Sequence, residues 1–173
     1  MKVVYHGRYR EVYSSDPAAQ PGRIECIHSV LRGRFEFVTP EPASEDDLLL
    51  VHGRGHVQHV KTHQLVYDIA LLAVGGAIKS SEVALNGEPS FGLIRPPGHH
   101  ASKDSSWGFC YFNNMAISIE RLRREGRIEK ALIVDIDLHY GDGTANVFAA
   151  TPEVMYCHPQ GWDRQAYLSD LSR

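Results

Sequence analysis

The spacing of apolar residues changes along this chain, and each change predicts an element. "KVVYH" (2–6) and "FEFVTP" (35–40) are short apolar or alternating runs and read as strands. Between them, "RIECIHSVLRG" (23–33) reads as a helix closed by Gly33, after the polar, Pro-containing loop "SSDPAAQPGR". "SEDDLLLVH" (44–52) starts with a cap-forming Ser44 and acidic first-turn residues, which predicts a short helix. "HVQHVKTHQLVYDIALLAVGGAIKSSEVAL" (56–85) repeats its apolar positions every three to four residues and reads as helix for most of its length. "SFGLIRPP" (90–97) is a strand ended by prolines, and "YFNNMAISIERLRREG" (111–126) a helix ending at Gly126. "KALIVDID" (130–137) is strongly apolar, the kind of strand buried on both faces. A short helix in "GTANVFAAT" (143–151) and a strand in "EVMYCH" (153–158) follow.

Strands alternating with helices predict an α/β fold around a parallel sheet, with helices on both faces. In such sheets ligands bind at the carboxyl ends of the strands. Two polar runs fall there. His99 and His100 follow "GLIRPPG", and Asp135, Asp137 and His139 end "KALIVDID".

Alternate residues of an extended chain share a face, so Asp135, Asp137 and His139 stand together. Ionisable groups so close repel or lose hydration unless a cation joins them. Carboxylate oxygen with imidazole nitrogen suits zinc or ferrous iron. The Pro-Pro-Gly turn before His99 and His100 can bring two imidazoles into one small volume. Asp135 and Asp142 are the carboxylates available to orient them and raise their basicity.

Composition narrows the field. A chain of 173 residues can bury one core, and the formal net charge of −3 gives no sign of nucleic-acid binding. No apolar run is long enough to span a bilayer, and no signal-peptide pattern opens the chain, which predicts a cytoplasmic protein. Cys26, Cys110 and Cys157 have no CxxC spacing and read as reduced, mostly packing thiols.

Several motifs resemble one family. "RPPGHHA", "GFCYFNN" and "DIDLHYGDGT" resemble, in order, the zinc-dependent histone deacetylases and acetylpolyamine amidohydrolases. Upstream, "PGRIECI" and "DDLLLVHGRGHVQHV" are similar to that family's early helices. The resemblance implies an arginase/deacetylase-like fold, here a single partial domain over 1–173, and removal of acetyl groups from acetyl-lysine or acetylpolyamine-like amines. It implies Asp137 and His139 as zinc ligands, and His99 and His100 as the proton-handling pair backed by Asp135 and Asp142. It implies Gly108 and Phe109 as the wall of the acyl channel, a K+ site that includes Asp135, and Arg23 near an internal channel.

The chain departs from the family pattern downstream. The family's third zinc ligand, an aspartate, and its oxyanion tyrosine have no motif here, and Asp163, Asp170, Tyr156 and Tyr167 match none. Tyr156 and Cys157 stand where the family has serine and leucine. The expectation is therefore an enzyme completed by copies of itself or by a complementary second-half polypeptide, or else an inactive binding protein that keeps the fold. Other features point elsewhere only weakly. His52, His56, His59 and His63 have helical spacing, but Gly53 and Gly55 interrupt it. "AVGGAIKSS" lacks a phosphate-loop ending, and Ser105 and Ser106 lack a nucleophile elbow.

Overall fold

The computed structural model describes residues 1–159. Asp163, Tyr167 and Asp170 lie outside the described residues. Among the described residues five strands and six α-helices follow in the order β1 (Lys2–Val4), α1 (Arg23–Leu31), β2 (Glu36–Val38), α2 (Glu45–Leu48), α3 (Arg54–Lys61), α4 (Gln64–Leu85), β3 (Ser90–Gly92), α5 (Asn114–Arg124), β4 (Ala131–Val134), α6 (Asp142–Phe148) and β5 (Val154–Cys157).

The strands pair in parallel as two hydrogen-bonded groups, β2-β1-β3 and β4-β5. Parallel neighbours need crossovers, and the helices between them supply these. α4 carries most of the packing, because Ile69, Ala70, Leu72, Ala73 and Val74 leave no polar face mid-helix. It packs against β1 and β3 on one side and α5 on another. One core gathers Val3, Tyr9, Ile69 and Leu93, and a second joins Leu48, Val74, Ile117, Ile133 and Phe148. Burying an aliphatic side chain in such a core stabilises by about 2 kcal/mol.

Local chemistry accounts for most boundaries. Ser44 caps α2 by accepting from the Asp47 N–H at 3.2 Å, and Asn113 caps α5 by accepting from the Ala116 N–H at 3.1 Å. The long helical run is not continuous. It breaks at Thr62 and His63, where the Thr62 hydroxyl donates to the His59 carbonyl at 2.7 Å and competes with the helix ladder.

β4 differs from the sequence expectation of burial on both faces. Ile133 is buried, but Leu132 and Val134 are each 55% exposed and Ile136 just beyond is 84% exposed. Alternate positions of a strand face opposite ways, so one face meets the core and the other lies open. Among the described residues β3 pairs only with β1 and β4 only with β5. An apolar cleft of about 530 Å³ lies where the two strand groups approach, lined by Ile94, Pro96, Met115, Val134 and Ile136, with His99 and Asp137 at its polar end.

Candidate active site

The site forms where β3 and β4 end. Beyond β4 the chain runs through Asp135, Asp137 and His139 into α6, which begins at Asp142. Beyond β3 it reaches His99 and His100. The Thr144 N–H donates to the His99 carbonyl at 3.0 Å and fastens the two segments together. Gly141 allows this approach. A Cβ there would lie 2.5 Å from Tyr156 Oη and 2.6 Å from Asp135 Oδ2, closer than packing permits.

Two imidazole–carboxylate pairs result. His99 Nδ1 lies 2.9 Å from Asp135 Oδ2, and His100 Nδ1 lies 2.6 Å from Asp142 Oδ1. A carboxylate only accepts, so each Nδ1 carries the proton and each Nε2 faces away from its partner. The two rings sit 4.1 Å apart between centroids. Burial pushes the Asp135 carboxyl up, but bonds from His99, the Asp137 N–H and the Tyr156 hydroxyl outweigh it and hold the group below the usual carboxylate range. For Asp142 burial is likewise outweighed, by His100 and Trp107.

Asp137 and His139 stand beside these pairs. His139 Nδ1 is 3.3 Å from Asp137 Oδ1, and His99 Nε2 is 4.0 Å from that same oxygen. Zinc bonds of about 2.0–2.2 Å at a tetrahedral angle separate two ligand atoms by about 3.3–3.6 Å. Asp137 and His139 therefore fit one edge of a zinc site. Among the described residues no third His, Cys, Asp or Glu joins them. The His139 N–H donates to Asp137 Oδ1 at 2.8 Å, and His158 Nε2 donates to the Asp137 carbonyl at 2.9 Å, so the segment is held from both sides.

Asp135, the residue named for K+, has its own partners within the chain. Asp135 Oδ2 already accepts from His99 and from the Tyr156 hydroxyl at 2.8 Å, and Oδ1 accepts from the Asp137 N–H at 3.1 Å. The Tyr156 oxygen accepts from the Gly141 N–H at 2.8 Å. Three donors therefore share the carboxylate through which Asp135 was expected to meet a cation. Tyr156 ties Asp135 to the Gly141 turn. The substitution for serine was visible in the sequence; its bond to Asp135, 21 positions away, was not.

Gly108 and Phe109, expected at the channel wall, form a left-handed turn beside His100. Gly108 takes a φ of +61°, and a Cβ there would stand 2.7 Å from His100 Cδ2, so glycine is required. Phe109 follows with a φ of 62°, rare for a bulky residue, and is buried against the rings of Tyr13 and Tyr111. The aromatic surface that faces solvent beside the histidines is Trp107, 55% exposed. Cys110 lies beneath, accepting from the His100 N–H at 3.5 Å, its thiol pushed up to about 12 by burial.

The remaining candidates separate from the site. Arg23 is exposed at the start of α1; among the described residues the buried arginine is Arg95, which donates to the carbonyls of Gln20 and Glu11 at 3.2 and 3.3 Å. His52 and His56 spend ring nitrogens on backbone groups: His52 on the Ser102 carbonyl and the Asn113 N–H, His56 on the Tyr111 carbonyl. His59 and His63 are exposed. The Ser105 hydroxyl lies 3.3 Å from that of Ser102. "AVGGAIKSS" is interior to α4.

Parallel strands with crossover helices, and paired imidazoles and carboxylates at their carboxyl ends, define an α/β protein of the arginase/deacetylase fold class. The HD domain of HDA15, a crystal structure, superposes with a TM-score of 0.80 at 27% identity, covering 91% of this chain and 54% of that one. Residues 17–167 match the histone deacetylase domain, and the chain belongs to that family. A Methanothermobacter thermautotrophicus protein named "Probable deacetylase" is 42% identical over 135 residues, 69% of this chain and 41% of the relative. An Archaeoglobus fulgidus protein of the same name is 36% identical over 165 residues, 86% of this chain and 44% of the relative. The chain thus spans less than half the length of these curated relatives. No helix among the described residues is long and apolar enough to cross a membrane.

Proposed function

We propose that this chain supplies the proton-handling half of a metal-dependent amidohydrolase that removes acetyl groups from acetyl-lysine or acetylpolyamine-like amines. The observation that carries the reading is the convergence of His99–Asp135 and His100–Asp142 beside Asp137 and His139. Asp137 and His139 would hold zinc, which when bound polarises the amide carbonyl and makes water acidic. The chain's own residues handle protons. Each histidine keeps its Nδ1–H on a carboxylate, which leaves Nε2 to act. One imidazole takes a proton as water attacks the carbonyl, and a protonated imidazole returns one to the departing amine nitrogen. The neighbouring carboxylates stabilise the imidazolium that forms between these steps.

The third ligand and the oxyanion donor come, in this reading, from a complementary polypeptide seated in the apolar cleft. The open face of β4 supports that arrangement. A second copy of the chain is the other arrangement to be distinguished.

The deciding experiment measures zinc content by elemental analysis and acetate release from an acetyl-lysine reporter and an acetylpolyamine. It is run on the chain alone and on any assembly it forms. Zinc uptake with acetate release supports the reading. Neither zinc nor acetate in any form overturns it in favour of a binding protein that keeps the fold.

A further inference from the structure

We infer that Trp107 is a positioning residue for His100, a role that rests on the amidohydrolase reading. Its indole lies 3.7 Å from the His100 ring between centroids, at an interplanar angle of 28°, so the rings are stacked. Its Nε1–H donates to Asp142 Oδ2 at 3.0 Å, while Asp142 Oδ1 takes the Nδ1–H of His100 at 2.6 Å. The three side chains form a closed ring of contacts. Trp107 fixes the face of the imidazole and, through the second carboxylate oxygen, the plane of Asp142.

Exposure makes this more than packing. Trp107 leaves 55% of its surface in solvent, whereas His100 is 3% exposed. The part of the indole that is covered lies against His100 and Asp142. What it covers is one face of His100; His99 stands by that ring at 4.1 Å, and Gly108 passes its Cδ2 edge. Without the indole, Asp142 would lose one of its two side-chain donors and His100 its broadest neighbour. The carboxylate could then rotate and the imidazole could exchange tautomers, placing its proton on Nε2, where it cannot accept one. A His–Asp pair alone does not need a tryptophan, so the added donor and stacked face mark a pair whose orientation matters.

The test is ¹⁵N NMR of the histidine side chains in the full chain, with His100 assigned by its loss in His100→Ala. In the wild type at alkaline pH, His100 should show one protonated and one bare nitrogen, with the proton on Nδ1. In Trp107→Ala the two shifts should move toward each other as both tautomers populate, while His99, held by Asp135, keeps its pattern. Trp107→Phe, which keeps a ring but not the donor, should lie between. An unchanged His100 pattern in Trp107→Ala overturns the positioning role and leaves the amidohydrolase reading standing. An independent measurement needs no Trp107 variant: the indole N–H resonance of Trp107 should move upfield in Asp142→Asn as the charged acceptor is lost. A fixed resonance overturns the proposed contact. Acetate release decides the parent reading separately.

Discussion

His100 Nδ1 and Asp142 Oδ1, 42 positions apart in the chain, lie 2.6 Å from each other. A bond of that length between a buried imidazole and a carboxylate assigns the proton to Nδ1 and fixes the ring's orientation. Asp142→Asn keeps the shape but removes the charge. Acetate release by the competent assembly should fall roughly 10- to 100-fold with zinc content unchanged. Parallel steady-state kinetics and elemental analysis check both halves of the expectation.

His139→Ala should abolish zinc uptake, because it removes one of the two ligand candidates on the Asp137 edge. His100→Ala should retain zinc and lose turnover, since that ring is held by Asp142. Equal loss of zinc in the two variants would contradict the division of roles between metal holding and proton transfer.

Tyr156→Phe removes the hydroxyl that joins Asp135 Oδ2 to the Gly141 N–H. The turn then loses an acceptor and the carboxylate a donor, which should cost about 1–3 kcal/mol in denaturant unfolding. The Asp135 carboxyl should also titrate at higher pH, because one of the bonds lowering it is gone. Carboxyl ¹³C chemical shifts against pH would detect the change.

His52 predicts how stability follows pH. Burial first, then the neighbouring His56, depress it to about 4 from an ordinary 6.5. The folded state therefore binds fewer protons than the unfolded chain between those values. Its stabilising contribution is complete above about pH 6.5 and is lost as pH falls toward 4, on the order of 3 kcal/mol in total. Urea unfolding at several pH values should show this slope, and a His52→Gln variant should flatten it. A flat wild-type profile would sink the argument.

Ile136→Lys tests the cleft. Ile136 is 84% exposed, so the charge should alter the isolated chain's stability by no more than about 0.5 kcal/mol. Association through this face should be lost, shifting sedimentation toward the monomer. A variant that assembles like the wild type would place the interface elsewhere.

The sequence by itself determined the elements and the chemistry they deliver. Apolar spacing marks β4 and α5, because strand and helix periods depend only on local geometry. The motifs "RPPGHHA" and "DIDLHYGDGT" supply His99, His100, Asp135, Asp137, His139 and Asp142, and parallel-sheet topology sends such groups to one edge. Tertiary structure alone decided the rest. The stack of Trp107 on His100, the reach of Tyr156 to Asp135, the burial of Phe109 and the open face of β4 leave no periodic trace. Each depends on how separate segments approach in space, and hydrogen bonds and close packing, unlike hydrophobic period, are satisfied by neighbours that the order of the chain does not name.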